Sequence, residues 1–191
     1  DPPVAESKSL NVNEGSVGTA LALAAPTDAE GNTLTIQVNA LPLLGQVTLA
    51  NGTPLTSGQT LSLPQLAGLQ YNAPADYNSG SAVGQFSYTV SDGQGGIASG
   101  SVTLSVNPLN DAPVAQSKSL TVAEESVGTN IGLTAPTDVD GNPLTITVSG
   151  LPTLGLVTLA NGVSVSNGQQ LSSSDLTGLK YNGPGDYNGT D

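Results

Sequence analysis

Polar and apolar residues alternate along several short segments of this chain. Residues 33–38 read TLTIQV, residues 85–90 read QFSYTV and residues 101–106 read SVTLSV, so every second side chain is apolar. A period of two is typical of a β-strand with one buried face, because successive side chains point to opposite faces of a sheet. The pattern predicts about seven strands in the first part of the chain, at residues 4–11, 18–24, 33–39, 46–50, 60–63, 84–91 and 97–106.

Turn-forming residue pairs separate the alternating segments. In these pairs Gly follows Asn, Ser, Asp or Gly, at residues 51–52, 57–58, 92–93 and 95–96, and such pairs mark turns between strands. A short helical turn is predicted before Tyr71 and before its later counterpart Tyr181. Pro64 suits a first helical turn, and residues 173–176, SSDL, resemble a helix N-cap. Short strands joined in this way predict an all-β protein built of immunoglobulin-like antiparallel β-sandwiches.

The chain contains one sequence twice, with a period of 110 residues. Residues 1–81 align without a gap on residues 111–191, and about 48 of the 81 positions are identical. The hexapeptide SKSLNV at residues 7–12 returns as SKSLTV at residues 117–122. A period of this length corresponds to a whole domain rather than to one unit of a solenoid. The predicted organisation is a first repeat at residues 1–107, a linker at residues 108–113 and a second repeat at residues 114–191.

The second repeat is predicted to be incomplete. Residues 82–110 hold the last two predicted strands of the first repeat, and they have no counterpart after Asp191. Without such strands the second repeat is expected to expose apolar side chains and unpaired strand edges. Two explanations stay open. The strands are missing by truncation, in keeping with the absence of Met at position 1, or another chain supplies them by strand addition.

Charge and composition exclude several classes of function. The net charge is −12, and the chain has three Lys, no Arg and no His. Such a surface cannot replace phosphate counterions, so neither nucleic acid nor an anionic membrane is an expected partner. The absence of His, Cys and Arg removes the usual acid–base, nucleophilic and phosphate-binding groups. Asp28 and Glu30 form a carboxylate pair, but they lie in a turn without an aromatic subsite, and no enzyme is predicted.

Two predicted turns place oxygen-bearing side chains at every second position. Residues 28–32 read DAEGN and residues 138–142 read DVDGN. Calcium prefers several oxygen ligands from carboxylates, amides and carbonyls, and this spacing allows one turn to surround an ion. The turns are not EF-hand loops, because no glutamate follows at position twelve. An Asx-turn with solvated carboxylates is the alternative interpretation of each turn taken singly.

Taken together, these motifs resemble those of a known family. The DVDGN turn, the loop at residues 75–78, the Asp-Gly pair at residues 92–93 and the junction NDAPVA at residues 110–115 are similar to motifs of cadherin-like repeats. More narrowly, the whole chain resembles the tandem cadherin-like repeats of large bacterial surface proteins, the RTX-type adhesins and biofilm proteins. The resemblance implies calcium ions between successive domains, held by an early glutamate, an acidic residue before the sixth strand, the linker and a DxD loop.

The resemblance implies two sets of calcium ligands. Those between the two repeats would be Glu14, Asp76, Asn107, Asn110, Asp111, Asp138 and Asp140. Those of a junction before residue 1 would be Asp1, Asp28, Glu30 and Asp92. The linker departs from the animal cadherin pattern DxNDNAP, because Asn107 replaces its first Asp and the Asn-Asp order is inverted. The departure implies fewer ions or weaker binding.

Two further patterns are interpreted as structural. The motif YNxPxDYN puts tyrosines at the same place in each repeat, which favours core or corner tyrosines over a ligand platform. These tyrosines are Tyr71, Tyr77, Tyr181 and Tyr187. Lys8 and Asn107 are candidates for an isopeptide bond, but the sequence offers no evident buried carboxylate or aromatic neighbour for that reaction. Lys8 is therefore interpreted as a charge that protects a strand edge from pairing.

The resemblance implies that the repeats are calcium-stabilised extenders of a long, secreted adhesin on a bacterial cell surface, acting in adhesion or biofilm formation. Neighbouring repeats of the same chain and calcium would be the direct partners. Two alternatives stay open. One is a module that binds a glycan or a protein directly, and the other is a subunit that another copy completes by strand exchange to form a filament.

Overall fold

The computed structural model describes residues 1–78 and 81–186. It contains two compact units, Asp1–Asn110 and Asp111–Asp191, which are called unit 1 and unit 2 below. Strands hold 32% of the residues and helices 5%. The protein is therefore all-β, as the alternating sequence predicts.

Unit 1 is a sandwich of two β-sheets. Its strands are β1 (Lys8–Asn13), β2 (Thr19–Ala20), β3 (Thr35–Ala40), β4 (Gln46–Thr48), β5 (Thr60–Leu61), β6 (Gln70–Asn72), β7 (Gln85–Ser91) and β8 (Ile97–Asn107). One sheet has the order β1-β8-β7-β3-β5 and the other has the order β2-β6-β4. The alternation is retained in three dimensions: β7 buries Phe86, Tyr88 and Val90, and the residues between them are partly exposed.

Both sheets of unit 1 contribute to one hydrophobic core. Phe86 and Tyr88 stack with their ring centroids 5.8 Å apart. Tyr71 lies in the other sheet, is fully buried, and donates its hydroxyl to Leu44 O at 2.9 Å. Tyr77 is also buried. Tyr71 and Tyr77 each bury the ring while the hydroxyl stays hydrogen-bonded. Both are therefore structural tyrosines, as predicted. Tyr187 lies outside the described residues.

Strand β1 is parallel to its neighbour, whereas the other pairs in unit 1 are antiparallel. It runs alongside β8 from Lys8 opposite Val102 to Asn13 opposite Asn107. The sequence predicts an antiparallel sandwich and gives no sign of this pair. Parallel strands run in the same direction. The last residues of β1 and β8, Asn13 and Asn107, therefore lie side by side at one end of the sheet.

Some strand boundaries differ from the predicted ones. The segment predicted at residues 4–11 forms a strand only from Lys8 onward, and before that it makes a single bridge from Val4 to Thr27. The strand predicted at residues 18–24 is limited to β2, because Ala22 has a φ of +49°, which ends the extended backbone. The pattern does not predict β6, since three residues are too few for alternation to show, yet β6 pairs with both β2 and β4.

A capped helical turn precedes β6, as predicted. Helix α1 (Leu63–Ala67) begins after Ser62. The Ser62 hydroxyl accepts the N–H of Gln65, and the Gln65 side chain accepts the N–H of Ser62 at 2.8 Å. This reciprocal pair is a capping box. The same arrangement starts α2 (Ser173–Thr177) in unit 2, where the cap is Ser172, one residue before the predicted position.

Unit 2 repeats only the central part of this sandwich. Its strands are β9 (Thr129–Asn130), β10 (Ile146–Thr147), β11 (Leu156–Thr158), β12 (Gln170–Leu171) and β13 (Lys180–Asn182). They form the sheets β10-β12 and β11-β13-β9. With the period of 110 residues, β9 corresponds to β2, β10 to β3, β11 to β4, β12 to β5 and β13 to β6. Among residues 111–186 no strand corresponds to β1, β7 or β8.

Candidate metal centres

An acidic turn follows the first bridge of unit 1. Asp28 Oδ1 accepts the N–H groups of Glu30 at 3.1 Å and of Asn32 at 2.9 Å, and Gly31 provides the left-handed φ of +74° that the turn requires. These bonds use one carboxylate oxygen only. Within the described part of the chain, Asp28 Oδ2 is buried and has no hydrogen-bond partner. A buried carboxylate oxygen needs a partner, and a cation fits this one.

Asp92 brings a second buried carboxylate to the same end of unit 1. It follows β7 and is 5% exposed. Its Oδ1 accepts the N–H groups of Gln94 at 2.7 Å and Gly96 at 2.9 Å. A Cβ at Gly96 would overlap both Asp92 Oδ2 and the Cα of Pro2. The close approach of the two segments therefore requires glycine, and the Asp92 carboxylate is fixed beside the first residues of the chain.

The amino group of Asp1 lies among these carboxylates. It donates to Glu30 Oε2 at 3.0 Å. This hydrogen bond raises the pKa of the amino group, and the negative charges of Glu30, Asp28 and Asp92 raise it further. The structure thus brings three predicted ligands, Asp28, Glu30 and Asp92, close enough to act on the amino group of the fourth, Asp1. This entry cluster consists of Asp1, Asp28, Glu30 and Asp92.

A separate acidic site lies where the chain leaves unit 1. Glu14 follows β1 and is buried, and its carboxylate accepts the N–H groups of Tyr77 and Leu109. The hydrogen bond from Tyr77, followed by that from Leu109, holds the pKa of Glu14 below its ordinary value. The N–H of Glu14 donates to Asn107 O at 3.0 Å. Glu14 is therefore an ionised group fixed between the loop after β6 and the segment after β8.

Two more predicted ligands lie beside Glu14. Asp76 is exposed and directly precedes Tyr77, and Asn107 ends β8 and donates its Nδ2 to Asn13 Oδ1 at 3.2 Å. Asn110 is exposed. The exit cluster is defined as Glu14, Asp76 and Asn107. In the sequence, Glu14 is more than 60 residues away from both Asp76 and Asn107. The pairing of β1 with β8 and the loop after β6 bring the three residues together.

The hydrogen bonds to Glu14 predict a specific dependence of stability on pH. The pKa of Glu14 is lowered in the folded state, so its contribution is fully present above the ordinary glutamate pKa of about 4.3. That contribution is lost as the pH falls through the lower pKa of the folded state. Glu14→Gln should therefore give a flatter decline of the unfolding free energy of unit 1 in acid. Denaturant titrations in the presence of a chelator, between neutral pH and pH 3, measure this slope.

Unit 2 offers a matched control for that experiment. Glu124 is the counterpart of Glu14 in the repeat, and it is exposed. Glu124→Gln should leave the acid slope of the parent protein unchanged. Equal slopes for the parent and for Glu14→Gln would contradict the assignment of Glu14 as an ionised acceptor of two N–H groups.

The two clusters of unit 1 lie at opposite ends of one strand. Asp92 of the entry cluster lies just before β8, and Asn107 of the exit cluster is the last residue of β8. This strand has 11 residues, and a rise of about 3.3 Å per residue separates its ends by about 30 Å. The chain therefore enters unit 1 at one acidic end and leaves it at the other.

Unit 2 builds the same acidic turn, with Asp140 in the place of Glu30. Asp138 Oδ1 accepts the N–H groups of Asp140 at 3.0 Å and of Asn142 at 3.1 Å. Asp140 Oδ2 accepts the N–H of Asp111 at 2.7 Å. In unit 1 the equivalent residue, Glu30, binds the amino group of Asp1. In both units the turn thus holds the segment that leads into the domain.

The chemistry of these donors fits calcium. Each predicted set supplies carboxylate and amide oxygens, and the sequence has no Cys or His. Oxygen donors without nitrogen or sulfur suit hard divalent cations rather than zinc or copper. Asp28 Oδ2 is a buried carboxylate oxygen to which no N–H or O–H group of the described residues donates.

The isopeptide bond considered from the sequence does not fit the structure. Lys8 Nζ donates to Ala22 O at 2.6 Å, while Asn107 lies opposite Asn13. Lys8 and Asn13 are five residues apart on β1, which corresponds to about 16 Å. The Lys8 side chain instead ties β1, an edge strand of its sheet, to the segment after β2.

Some contacts of these sites could not be read from the sequence. The linker amide of Leu109 is bound by Glu14, 95 residues earlier, and Gly96 reads only as part of a turn until Pro2 and Asp92 are seen beside it. A backbone N–H group can be bound whatever side chain its residue carries, so such a contact leaves no pattern in the sequence. The signal that the sequence did give was the Gly-rich turn after β7.

The fold and the acidic turns define tandem immunoglobulin-like β-sandwich repeats. The chain belongs to the bacterial Ig domain family, whose model matches it twice, at residues 1–105 and 110–191. No curated protein matches the chain. Bacterial Ig domains usually lie in extracellular surface proteins, and the fold is in general non-catalytic. None of the helices in the described ranges is long and apolar enough to cross a membrane.

Proposed function

We propose that these repeats are calcium-stabilised extenders of a long, secreted adhesin on a bacterial cell surface, which acts in adhesion or biofilm formation. The observation that carries the proposal is the placement of acidic clusters at the two opposite ends of unit 1. A domain that the chain enters at one end and leaves at the other suits an end-to-end series. A cation bound at either end would then act on the connection to the neighbouring repeat and would leave the sandwich core unchanged.

The entry cluster supplies the first proposed site. Asp28, Glu30 and Asp92 would hold calcium, together with the side chain of Asp1. The buried Asp28 Oδ2 and the 5% exposed Asp92 support this proposal, because a bound divalent ion would compensate the cost of keeping these charges away from water. The neighbouring Gly96 keeps this end of the unit compact.

The second proposed site uses Glu14, Asp76, Asn107, Asn110, Asp111, Asp138 and Asp140. Support comes from chain connectivity. Glu14 binds the N–H of Leu109 and Asp140 binds the N–H of Asp111, and these amides are two residues apart, hence at most about 7 Å. The proposal is that calcium joins the carboxylates attached to this short segment and restricts its bending.

Weak binding suffices for this role. Extracellular calcium modules bind with Kd values of about 10⁻⁴ to 10⁻³ M, so millimolar environmental calcium would fill the sites. At a calcium concentration ten times Kd, one site stabilises the folded state by about 1.4 kcal/mol. The net charge of −12 would also keep neighbouring molecules apart and soluble.

Calcium should raise the stability of the parent protein, and removal of the proposed ligands should abolish this gain. Unfolding midpoints measured with calcium, with magnesium and with chelator test the proposal on the 191-residue protein. Magnesium should stabilise less, because it requires near-octahedral geometry and keeps its waters. The double variant Asp28→Asn and Asp92→Asn should lose the contribution of the entry cluster.

The matched control is Asp175→Asn, which removes one carboxylate from the capping box of α2 and none of the proposed ligands. It should keep the full calcium response. If the parent protein shows no response at millimolar calcium, or if the control loses as much as the double variant, the calcium sites are refuted.

The extender role itself requires a change in stiffness. X-ray scattering in solution, with calcium and with chelator, should show a more extended and less variable arrangement of the repeats when calcium is present. Superimposable scattering profiles would contradict the mechanism even if calcium bound. Direct recognition of a glycan is less well supported, because Tyr71, Tyr77 and Tyr88 are buried in unit 1 and offer no exposed aromatic platform.

A further inference from the structure

The first and the last strand of unit 1 lie side by side. Strand β1 runs parallel to β8 over six residue pairs, from Lys8 opposite Val102 to Asn13 opposite Asn107. It is the edge strand of its sheet, and within the described residues β8 is the strand with which it pairs. The chain therefore comes into the sandwich through one strand and leaves it through the other, and one ladder of backbone hydrogen bonds joins the two.

Tension along the chain would load this pair in shear. Because β1 and β8 are parallel, the start of β1 and the end of β8 lie at opposite ends of the sheet. A pull on the chain before β1 and on the chain after β8 would slide the two strands past each other along their length. The ladder hydrogen bonds run across the strands. Such a pull therefore strains them together, whereas peeling strains them one after another.

Side-chain hydrogen bonds reinforce the pair along its whole length. They join Ser7 to Ser101 at 3.1 Å, Leu10 to Ser105 at 3.4 Å and Asn13 to Asn107 at 3.2 Å. The backbone ladder also continues past the end of β1, because the N–H of Glu14 donates to Asn107 O at 3.0 Å. The contacts are thus spread from residue 7 to residue 14, which is the distribution that shared loading requires.

The contacts before β1 are fewer. Val4 and Thr27 form a single bridge with two backbone hydrogen bonds, of 2.8 and 3.3 Å, and the Tyr88 hydroxyl holds both backbone groups of Glu6. Tension would therefore free residues 1–7 first, in a short step, and would then act on the ladder between β1 and β8.

We propose that the β1–β8 pair is the load-bearing element of unit 1, which lets the repeat transmit tension along the chain without unfolding. The purpose of this property rests on the proposed extender function, because an extender between a cell and its target carries pulling force. The ladder itself contains no proposed calcium ligand except Asn107, so its strength is measured in the presence of chelator.

Pulling single molecules in two directions tests the proposal. The chain has no Cys, so one introduced cysteine gives a unique attachment point. Holding the 191-residue protein by its two ends loads β1 and β8 in shear. Holding it by its N-terminal end and by Gln94→Cys peels β1 from β8 instead, because Gln94 is exposed and lies in the turn whose Gly96 approaches Pro2.

The end-to-end pull should show one high-force event for unit 1. The event should release residues 8–107, which corresponds to a gain of about 300 Å in chain length. Peeling should rupture the same pair at a several-fold lower force. Equal rupture forces in the two directions would overturn the proposal, and this comparison leaves the sequence of both strands unchanged.

Two proline variants separate the ladder from the rest of β1. The N–H of Glu14 points to β8, and N–H groups alternate in direction along a strand. The N–H of Val12 therefore also points to β8, and that of Asn11 points to the free edge, where proline is tolerated. Val12→Pro should lower the end-to-end rupture force, and Asn11→Pro should leave it nearly unchanged. An equal loss in both variants would contradict the assignment of the load to the ladder.

Ile36→Ala separates mechanical strength from chemical stability. Ile36 lies on β3, which pairs with β5 and β7 and not with β1 or β8. This variant should unfold at lower denaturant concentration but rupture at nearly the parent force, since forced unfolding depends on the barrier along the pulled direction. Rupture forces that simply follow chemical stability among the variants would overturn the proposal. The scattering comparison with calcium tests the extender function separately, so either proposal can fail while the other stands.

Discussion

Ile36→Ala should lower the free energy of unfolding of unit 1 by about 2 to 5 kcal/mol. Ile36 is fully buried in the core between the two sheets, and it lies opposite Val90 on one side and Leu61 on the other. The alanine variant loses the transfer free energy of the deleted methyl and methylene groups, and a cavity remains because β-sheet neighbours on both sides limit relaxation. Hydrogen exchange of unit 1 amides in denaturant measures the loss separately from unit 2.

The same substitution one repeat later should cost much less. Ile146 lies in the nearly identical segment TITV at residues 145–148 but is only partly buried, since no strand within residues 111–186 packs on it as β7 packs on Ile36. Ile146→Ala should lower the stability of unit 2 by about 1 kcal/mol or less. Equal losses at the two positions would contradict the conclusion that β7 and β8 provide most of the burial on this face.

Gly100→Ala should destabilise unit 1 by about 3 kcal/mol. Gly100 lies opposite Tyr88 in the β7–β8 pair, and a Cβ there would overlap both the Tyr88 ring and the carbonyl oxygen of Glu6. The Tyr88 hydroxyl donates to Glu6 O at 3.0 Å and accepts the N–H of Glu6 at 3.2 Å. The added methyl group therefore displaces the tyrosine, and two backbone groups lose their partner.

The control for this substitution is Gly150→Ala. A Cβ at Gly150 would meet no atom within 4 Å, so the change should alter stability by about 0.5 kcal/mol or less. Thermal and denaturant unfolding of the two variants measures the difference. If Gly100→Ala proves as harmless as Gly150→Ala, the close contact of β8 with Tyr88 and Glu6 is not a constraint on unit 1.

Local patterns predicted the local parts of the candidate sites. The spacing of Asp28, Glu30 and Asn32 predicted an oxygen-rich turn, and the structure places both the Glu30 and Asn32 amides on Asp28 Oδ1. All these atoms lie within five residues. The same holds in unit 2 for the turn from Asp138 to Asn142, because a short turn is determined by its own residues.

The long-range parts of the sites were not predictable in this way. Glu14 reads in the sequence as one acidic residue after a strand. Its two N–H partners, Tyr77 and Leu109, are 63 and 95 residues away, and the resemblance to cadherin-like repeats, rather than any pattern near Glu14, marked it as a ligand. Asp92 was likewise marked as a ligand by the resemblance alone, and the close approach of Gly96 to Pro2 and Asp92 shows how the fold brings it to the entry cluster.

The repeat, the strand alternation, the acidic turns and the capped helical turn before β6 can all be read from the amino-acid sequence. Tertiary structure decided which alternating segments become strands. SKSLNV at residues 7–12 is paired with β8 from Lys8 onward, whereas the nearly identical SKSLTV at residues 117–122 forms no strand. The reason is physical: a turn or a helix makes its hydrogen bonds within a few residues, but a strand makes them with another strand. For β1 that partner lies more than 90 residues further along the chain, and residues 111–186 contain no equivalent of it.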